Sequence, residues 1–262
     1  MKVSIIGAGN MGGAIACGLA ASGQFGAGDI VCANPSKGKL EALHQQYSII
    51  GTTTHNMVAT LEADIIILAV KPWLAEKVLQ EISDVFNPAR QMLVSVVAGV
   101  PIAQLTEWTG HGEEEPTVFR SIPNTAACVC KSMTFLSAAH ADARQMETVK
   151  ALFDTIGSTM VVDEKMLETG MILASCGIAF ALRYIRAAAE GGVELGCRAS
   201  QATEIVAQTL IGAGELLLRN GTHPEQEIDR VTTAGGITIR GLNEMEHAGF
   251  TSAVIRGLKA CK

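Results

Sequence analysis

The sequence has little that would serve metal or disulfide chemistry. Its 7 cysteines are an odd number with no Cys-x-x-Cys spacing, and its 6 histidines include no His-Glu-x-x-His. Cysteines of this kind are typical of a reducing compartment, where the thiol packs as a small core group. We therefore expect neither a disulfide framework nor a bound metal.

Charge and long apolar runs are also sparse. Charged residues make up 18% of the chain, the formal net charge is −6, and Lys and Arg are not clustered, so we expect no nucleic-acid partner. The longest apolar run, residues 171–182, is too short to cross a bilayer, and no charged leader precedes an apolar core. We expect a soluble cytoplasmic protein that does not bind a membrane.

The most informative N-terminal feature is a glycine-rich turn between a strand and a helix. A β-branched run ends at Ile6, the segment Gly7-Ala8-Gly9-Asn10-Met11-Gly12 follows, and a helical pattern covers residues 13–22. Gly7 allows the tight turn, Gly9 lets the backbone approach a pyrophosphate, and Gly12 allows close helix–strand packing. The helix N-terminus favours the pyrophosphate, so a dinucleotide-binding Rossmann domain is predicted.

The end of the second strand, residues 29–33, indicates which dinucleotide binds. NAD sites usually carry Asp or Glu there, which would repel a 2′-phosphate, whereas this chain has the neutral Asn34. Ser36 with Lys37 or Lys39 is placed to contact that phosphate, so we expect NADPH in preference to NADH. Either lysine alone is equally well explained as a solvated charge at the start of a helix.

The later strands of this domain are predicted to end at the same crevice. An apolar strand at 63–70 is followed by Lys71, so Ala69, Val70 and Lys71 are expected on the nicotinamide side, with Val97 and Ala98 at the end of a strand over 91–98. A strand at 117–122 comes next, and residues 133–137 are expected to close the sheet. The acidic run 112–116 is interpreted as a solvated loop.

The composition changes near residues 157–163, and the remainder is helical. We therefore predict an α/β fold class: a Rossmann-type doubly wound sheet at residues 1–160, followed by an all-α domain at 161–262. The helix around Ala179 is apolar nearly all round, and 201–218 has a broad apolar face. Because so small a domain can hardly bury both, we expect at least a homodimer through these helices; the alternative is a monomer that folds back on itself.

A second glycine motif lies near the end of the chain, in Val231-Thr232-Thr233-Ala234-Gly235-Gly236-Ile237-Thr238. Adjacent glycines let successive N–H groups converge on a small carboxylate. With this motif, with Ala69-Val70-Lys71-Pro72 and with Ile122-Pro123-Asn124-Thr125, essentially the whole chain resembles the pyrroline-5-carboxylate reductases, which reduce a cyclic imine to proline.

The resemblance implies roles for individual residues. It places NADPH on Gly7, Ala8, Gly9, Asn10 and Met11, the ribose phosphate near Asn34 and Ser36, and further cofactor contacts at Asn56, Ala69, Lys71 and Pro72. It implies that the N–H groups of Gly236, Ile237 and Thr238, in the turn that begins at Gly235, hold the substrate carboxylate, and that Glu164 lies on the substrate side. It also implies that a partner subunit completes each active site. Glu164 is equally well explained as a surface charge that begins a helix.

The chain departs from the family pattern at several places. Ala174-Ser175-Cys176-Gly177-Ile178 stands where Ser-Gly-Ser-Gly-Pro is usual, Met171 replaces a common threonine, and Ala234 and Ala126 replace prolines. Lost hydroxyl groups remove polar contacts to a small substrate, so these departures bear on the pocket wall.

The chemistry predicted for the site is hydride transfer to an imine, which mainly needs alignment and exclusion of water. No Asp–His or Tyr–Lys pair stands out as a proton donor, so Thr238 is assigned the catalytic role of orienting the ring nitrogen, while the proton comes with the substrate or from water. Alternatively, Thr238 only caps a helix. Competing functions are a related NADPH-dependent imine or 3-hydroxy-acid reductase and a non-catalytic NADP-binding protein.

Overall fold

The computed structural model describes residues 1–109 and 115–262, which form two compact units, Met1–Ser175 and Cys176–Lys262. Most of the acidic run 112–116, predicted as a loop, lies outside the described residues. The predicted domain boundary between residues 160 and 161 stays a prediction.

The described part of the first unit is built on an eight-stranded sheet with the order β3-β2-β1-β4-β5-β6-β7-β8. All neighbouring strands are parallel except β6 and β7, so the predicted doubly wound sheet is confirmed. The strands are β1 (Val3–Ile6), β2 (Ile30–Ala33), β3 (Ile50–Thr53), β4 (Ile65–Leu68), β5 (Met92–Ser95), β6 (Thr117–Ile122), β7 (Ser132–Ala139) and β8 (Gly157–Val161).

The far edge of the sheet differs from the prediction. Residues 133–137 do not close it, because β7 pairs antiparallel with β6 and the chain returns through a helix to add β8 beyond β7. Sequence reasoning missed β8 because this edge strand is half exposed and lacks an apolar run. Gly157 is required there, since a Cβ on it would lie 2.0 Å from the Ser132 carbonyl oxygen.

Helices cover both faces of the sheet. They are α1 (Asn10–Ala21), α2 (Lys37–Gln46), α3 (Asn56–Leu61), α4 (Ala75–Ile82), α5 (Ile102–Thr109), α6 (Ala143–Asp154) and the short α7 (Leu167–Gly170). Side chains of β4 alternate between the two cores: Ile65 and Ile67 pack with α1 and α6, whereas Ile66 and Leu68 pack with α4 and α5. All four are fully buried, which contributes about 1.5–3 kcal/mol each.

The second unit is helical, as predicted. It contains α8 (Gly177–Glu194), α9 (Ala199–Asn220), α10 (Pro224–Val231), α11 (Ile237–His247) and α12 (Phe250–Lys259). Large apolar side chains remain exposed along these helices, including Leu182 (58%), Ile211 (59%) and Leu218 (83%). Large apolar side chains left exposed on several helices indicate an interaction face.

One helical run of 31 residues, Glu164–Glu194, contains an 18-residue window with a mean hydropathy of 1.4, which is long and apolar enough by composition to cross a membrane. This helical run is longer than the apolar run 171–182, because the helical structure extends beyond residue 171 toward the N-terminus and beyond residue 182 toward the C-terminus. The match is weak evidence for a span, since an apolar helix that forms a subunit interface meets the same criteria.

Candidate active site

The glycine turn between β1 and α1 forms as predicted. Gly7 has φ +106°, and a Cβ on it would lie 2.5 Å from the Ala69 carbonyl oxygen. A Cβ on Gly12 would lie 1.9 Å from the Gly7 carbonyl oxygen, whereas a Cβ on Gly9 would meet nothing within 4 Å. Gly7 and Gly12 are therefore required by packing, and Gly9 presents open backbone to a ligand.

Asn34 ties this turn to the end of β2. Its Oδ1 atom accepts the backbone N–H of Ala8 at 3.1 Å, and its Nδ2 atom donates to the Ser36 carbonyl oxygen at 3.4 Å. The side chain is buried, with 9% exposure. Sequence reasoning placed Asn34 near the ribose phosphate and noted its missing charge, but it missed this hydrogen bond to the glycine turn.

A cavity of about 710 Å³ opens at the carboxyl ends of β1, β2 and β4. It brings together a large part of the predicted cofactor set, namely Ile6, Gly7, Gly9, Asn10, Met11, Asn34, Asn56, Ala69, Val70 and Lys71. Its position outside the strand ends is the usual ligand crevice of a doubly wound sheet, and its volume suits a ligand of dinucleotide size.

The other predicted cofactor residues do not line this cavity: Ala8, Gly12, Ser36, Lys37, Pro72, Val97 and Ala98. Ala8 faces Asn34, Gly12 is packed behind the turn, and Val97 is buried at 4% exposure. Ser36 is the N-cap residue of α2. Direct contact between these residues and the cofactor stays a prediction.

Sequence reasoning missed one wall of the cavity. Leu74, Lys77, Val78 and Glu81 line it at helical spacing, from the short Pro72–Leu74 turn and α4. Their separations of three and four residues (74 to 77 and 78, 77 and 78 to 81) were the available signal, but no motif marked it. The Nδ2 atom of Asn56 donates to Glu81 Oε2 at 3.0 Å, so α3 and α4 are bridged at this wall.

A second cavity, of about 520 Å³, lies at the ends of β5 and β6 and includes the predicted residue Ala98. Glu164 lines it and is held by two donors. Its Oε1 atom accepts from Arg120 Nη1 at 2.8 Å and from the backbone N–H of Ile102 at 2.8 Å. The Arg120 side chain is only 14% exposed. Glu164 is thus fixed at a cavity wall, which is not the position of a free surface charge.

The chain turns at the two predicted glycines before α11, but the Gly236 N–H, predicted to bind the substrate carboxylate, is used within the turn, and Thr238 is not a helix cap. Gly235 has φ +69°, and Gly236 is the N-cap residue of α11, with no side-chain cap. Thr238 therefore does not cap the helix. The Gly236 N–H donates to the Thr233 carbonyl oxygen at 3.0 Å, whereas Ile237 and Thr238, as the first residues of a helix, have N–H groups without intrahelical partners.

The departures from the family pattern at Met171 and at residues 174–176 lie in a π-helix, Met171–Cys176, whereas Gly177 and Ile178 begin α8. The Ser175 hydroxyl donates to the Pro123 carbonyl oxygen at 3.3 Å, and Asn124 Nδ2 donates to the Ala174 carbonyl oxygen at 3.4 Å. The segment therefore remains hydrogen-bonded to the turn after β6, and π-helical turns are frequent at functional sites.

The residues that line the two cavities include no cysteine and no histidine. Within residues 1–109 and 115–262, there is no group of three metal-ligating side chains. Of the 7 cysteines, Cys17 and Cys32 are buried, whereas Cys128 and Cys261 are exposed, so fewer are core residues than predicted. Burial raises the pKa of the Cys32 thiol to about 12, so this group is neutral at physiological pH.

Comparison with known proteins gives two family matches. Residues 164–262 match the model for pyrroline-5-carboxylate reductase dimerisation, and residues 2–99 match a model described as NADP oxidoreductase coenzyme F420-dependent. The first match accounts for the exposed apolar helices and indicates a homo-oligomer.

The similarity to known proteins extends over nearly the whole chain. Pyrroline-5-carboxylate reductase 1 of Dictyostelium discoideum is 39% identical over 98% of this chain, although the chain spans only 48% of that protein's length. Pyrroline-5-carboxylate reductase of Escherichia coli K12 is 36% identical over 99% of this chain and 95% of the relative. The crystal structure of Plasmodium falciparum pyrroline carboxylate reductase with NADP bound has a TM-score of 0.86 at 24% identity, covering 100% of this chain and 95% of that chain.

A doubly wound sheet with a glycine turn and a crevice at its strand ends, followed by a helical unit, defines an NAD(P)-dependent oxidoreductase. The relatives match nearly the whole chain at 36–39% sequence identity, which identifies one family within that class. The chain belongs to the pyrroline-5-carboxylate reductase family.

Proposed function

We propose that the protein reduces 1-pyrroline-5-carboxylate to L-proline with NADPH, the last step of proline biosynthesis. The observation that carries this proposal is the placement of the two cavities at neighbouring strand ends: Val96 lines the first and Ala98 the second. A hydride donor and a small acceptor held in these cavities would lie side by side, which is the main requirement for hydride transfer.

The first cavity fits NADPH. Gly9 gives open backbone for the pyrophosphate, and three lysines against one glutamate make the cavity cationic, which suits the additional 2′-phosphate. The related structure from Plasmodium falciparum contains NADP. When bound, NADPH supplies the hydride that reduces the imine carbon.

The protein's own residues then bind and orient the imino acid. The free N–H groups of Ile237 and Thr238 hold its carboxylate, and the Thr238 hydroxyl, which is exposed and not used as a cap, orients the ring nitrogen. Glu164 supplies a fixed carboxylate at the second cavity. The ring nitrogen carries its proton into the site, so the protein mainly aligns the reactants and excludes water.

Assembly is part of the proposed function. The apolar faces of α8 and α9 pair between subunits as a homodimer or higher oligomer, and the family resemblance implies that the Gly235–Thr238 turn of one subunit completes the site of another. We place this enzyme in the cytoplasm, with the cofactor domain at residues 1–160 and the substrate and dimerisation domain at 161–262.

The test is oxidation of NADPH by purified protein with 1-pyrroline-5-carboxylate, beside NADH, acyclic imines and 3-hydroxy acids with NADP⁺. Turnover selective for the cyclic imine and NADPH is expected. A 3-hydroxy-acid enzyme would need a proton-transfer lysine on the first long helix of the second unit, and α8 carries Arg183 and Arg186 but no lysine. NADPH binding without any turnover would favour the non-catalytic alternative and overturn the proposal.

A further inference from the structure

Three lysines surround the first cavity without an acidic partner. Lys39 extends from α2, Lys71 follows β4, and Lys77 extends from α4. Across the described part of the chain, the ion pairs formed by lysine involve Lys2, Lys150 and Lys165, and none of these cavity lysines. Unpaired cations gathered at one cavity are a binding site for an anion.

The wall formed by α4 combines two kinds of contact. Leu74 and Val78 give an apolar surface that suits the flat face of an adenine ring, while Lys77 and Glu81 place opposite charges one turn apart. Glu81 does not pair with Lys77; its carboxylate accepts from Asn56 Nδ2 at 3.0 Å. Among the described residues, this wall of the cavity therefore contains an unpaired cation, Lys77, and a hydrogen-bonded anion, Glu81.

We infer that Lys77 is a specificity-determining residue, which binds the 2′-phosphate of NADPH together with Lys39, and that Glu81 opposes this binding. The inference rests on the proposed cofactor site but not on the proposed substrate. The inference also favours Lys39 over Lys37 in the first turn of α2, because Lys39 lines the cavity and Lys37 does not.

The test is direct titration of the full-length protein with NADP⁺ and NAD⁺ by calorimetry. Lys77→Ala is expected to raise the Kd for NADP⁺ about five- to tenfold, because the complex loses one charge-assisted contact to the 2′-phosphate. The Kd for NAD⁺ should stay within twofold, because NAD⁺ has no 2′-phosphate. Lys39→Ala should behave alike, and Lys77→Arg should restore most of the preference. Lys131→Ala, at an exposed lysine that lines neither cavity, is the matched control and should change neither constant.

Glu81→Gln gives an independent prediction of opposite sign. Gln retains an oxygen that accepts from Asn56 but removes the negative charge, so the Kd for NADP⁺ should fall about two- to fivefold while that for NAD⁺ stays unchanged. Raising the ionic strength should reduce both the Lys77→Ala and the Glu81→Gln effects, because salt screens exposed charges.

The outcomes separate this inference from the proposed function. Wild-type protein that binds neither dinucleotide would overturn both. The inference alone would be overturned if Lys77→Ala kept the wild-type preference for NADP⁺. It would also be overturned if this variant lost affinity equally for NADP⁺ and NAD⁺. Because Lys77 is an exposed helix residue and Ala favours helix, the variant should fold normally.

Discussion

The side chain of Asn34 and the backbone of Ala8 are joined by a hydrogen bond of 3.1 Å from the Ala8 N–H to Oδ1. Asn34 therefore has two roles: it holds the glycine turn against β2, and as a neutral side chain it adds no negative charge at the end of β2. The two roles can be separated by substitution.

Asn34→Asp keeps an oxygen that accepts from Ala8 but adds a negative charge beside the expected 2′-phosphate. We expect the Kd for NADP⁺ to rise about tenfold or more while the Kd for NAD⁺ is unchanged or lower. Asn34→Ala removes the brace and should weaken both dinucleotides alike. Equal behaviour of the two variants in titrations would contradict this separation.

The adjacent glycines of α1 provide a matched pair for stability. Gly12→Ala brings a Cβ to 1.9 Å from the Gly7 carbonyl oxygen, and should cost about 1–3 kcal/mol in free energy of unfolding and abolish dinucleotide binding. Gly13→Ala meets only a Leu43 methyl at 4.0 Å and should stabilise the helix by about 0.5–1 kcal/mol. Urea unfolding monitored by circular dichroism measures both; a Gly12→Ala protein as stable as wild type would show that the turn is not packed as described.

Arg120 and Glu164 form a partly buried ion pair, so removing one partner leaves a charge poorly compensated. Arg120→Met should lower the free energy of unfolding by about 1–3 kcal/mol. Glu164→Gln keeps an acceptor for the Ile102 N–H, and should cost less stability but raise the KM for the imino acid without raising that for NADPH. An unchanged KM for the imino acid would remove Glu164 from the substrate site.

The Thr238 hydroxyl is predicted to orient the ring nitrogen. Thr238→Ala should lower kcat about 10- to 100-fold, as expected for loss of one orienting hydrogen bond, with no change in the Kd for NADPH. Thr238→Ser retains the hydroxyl and should retain most of the rate. Wild-type turnover by Thr238→Ala would eliminate the assigned role.

The buried Cys32 thiol should be chemically silent in the folded protein. With its pKa raised to about 12, only about 1 in 10⁴ of these groups is a thiolate at pH 8, against roughly a quarter for an ordinary thiol. Alkylation followed by mass spectrometry should label the exposed Cys128 quickly and Cys32 only after denaturant is added. Labelling of Cys32 at the rate of Cys128 would show that β2 opens readily.

Much of the fold and the glycine turn could be predicted because each signal is local. Ile6, Gly7, Gly9 and Gly12 are close in sequence, and the strand and helix beside them supply the context. The sequence could not decide between Lys37 and Lys39 as the phosphate contact. Residues two apart on a helix are rotated by about 200° around its axis, and the sequence did not show which side of α2 faces the cavity.

The remaining contacts could not be predicted because they join distant parts of the chain. Asn56 and Glu81 are 25 residues apart, Arg120 and Glu164 are 44 apart, and Ile102 and Glu164 are 62 apart. No periodicity in one segment indicates which segment it meets. The edge strand β8 was missed for a related reason. Its half-exposed residues have no clear apolar pattern, and they form a strand because they pair with the distant β7.

The exposed apolar side chains of α8 and α9 have a consequence for measurements of stability. With the proposed subunit interface, association and folding of the second unit are linked, so the midpoint of unfolding depends on protein concentration. Two laboratories working at nanomolar and micromolar protein would then report different stabilities for the same chain. Dilution alone therefore destabilises the folded subunits of such a protein, as a denaturant would.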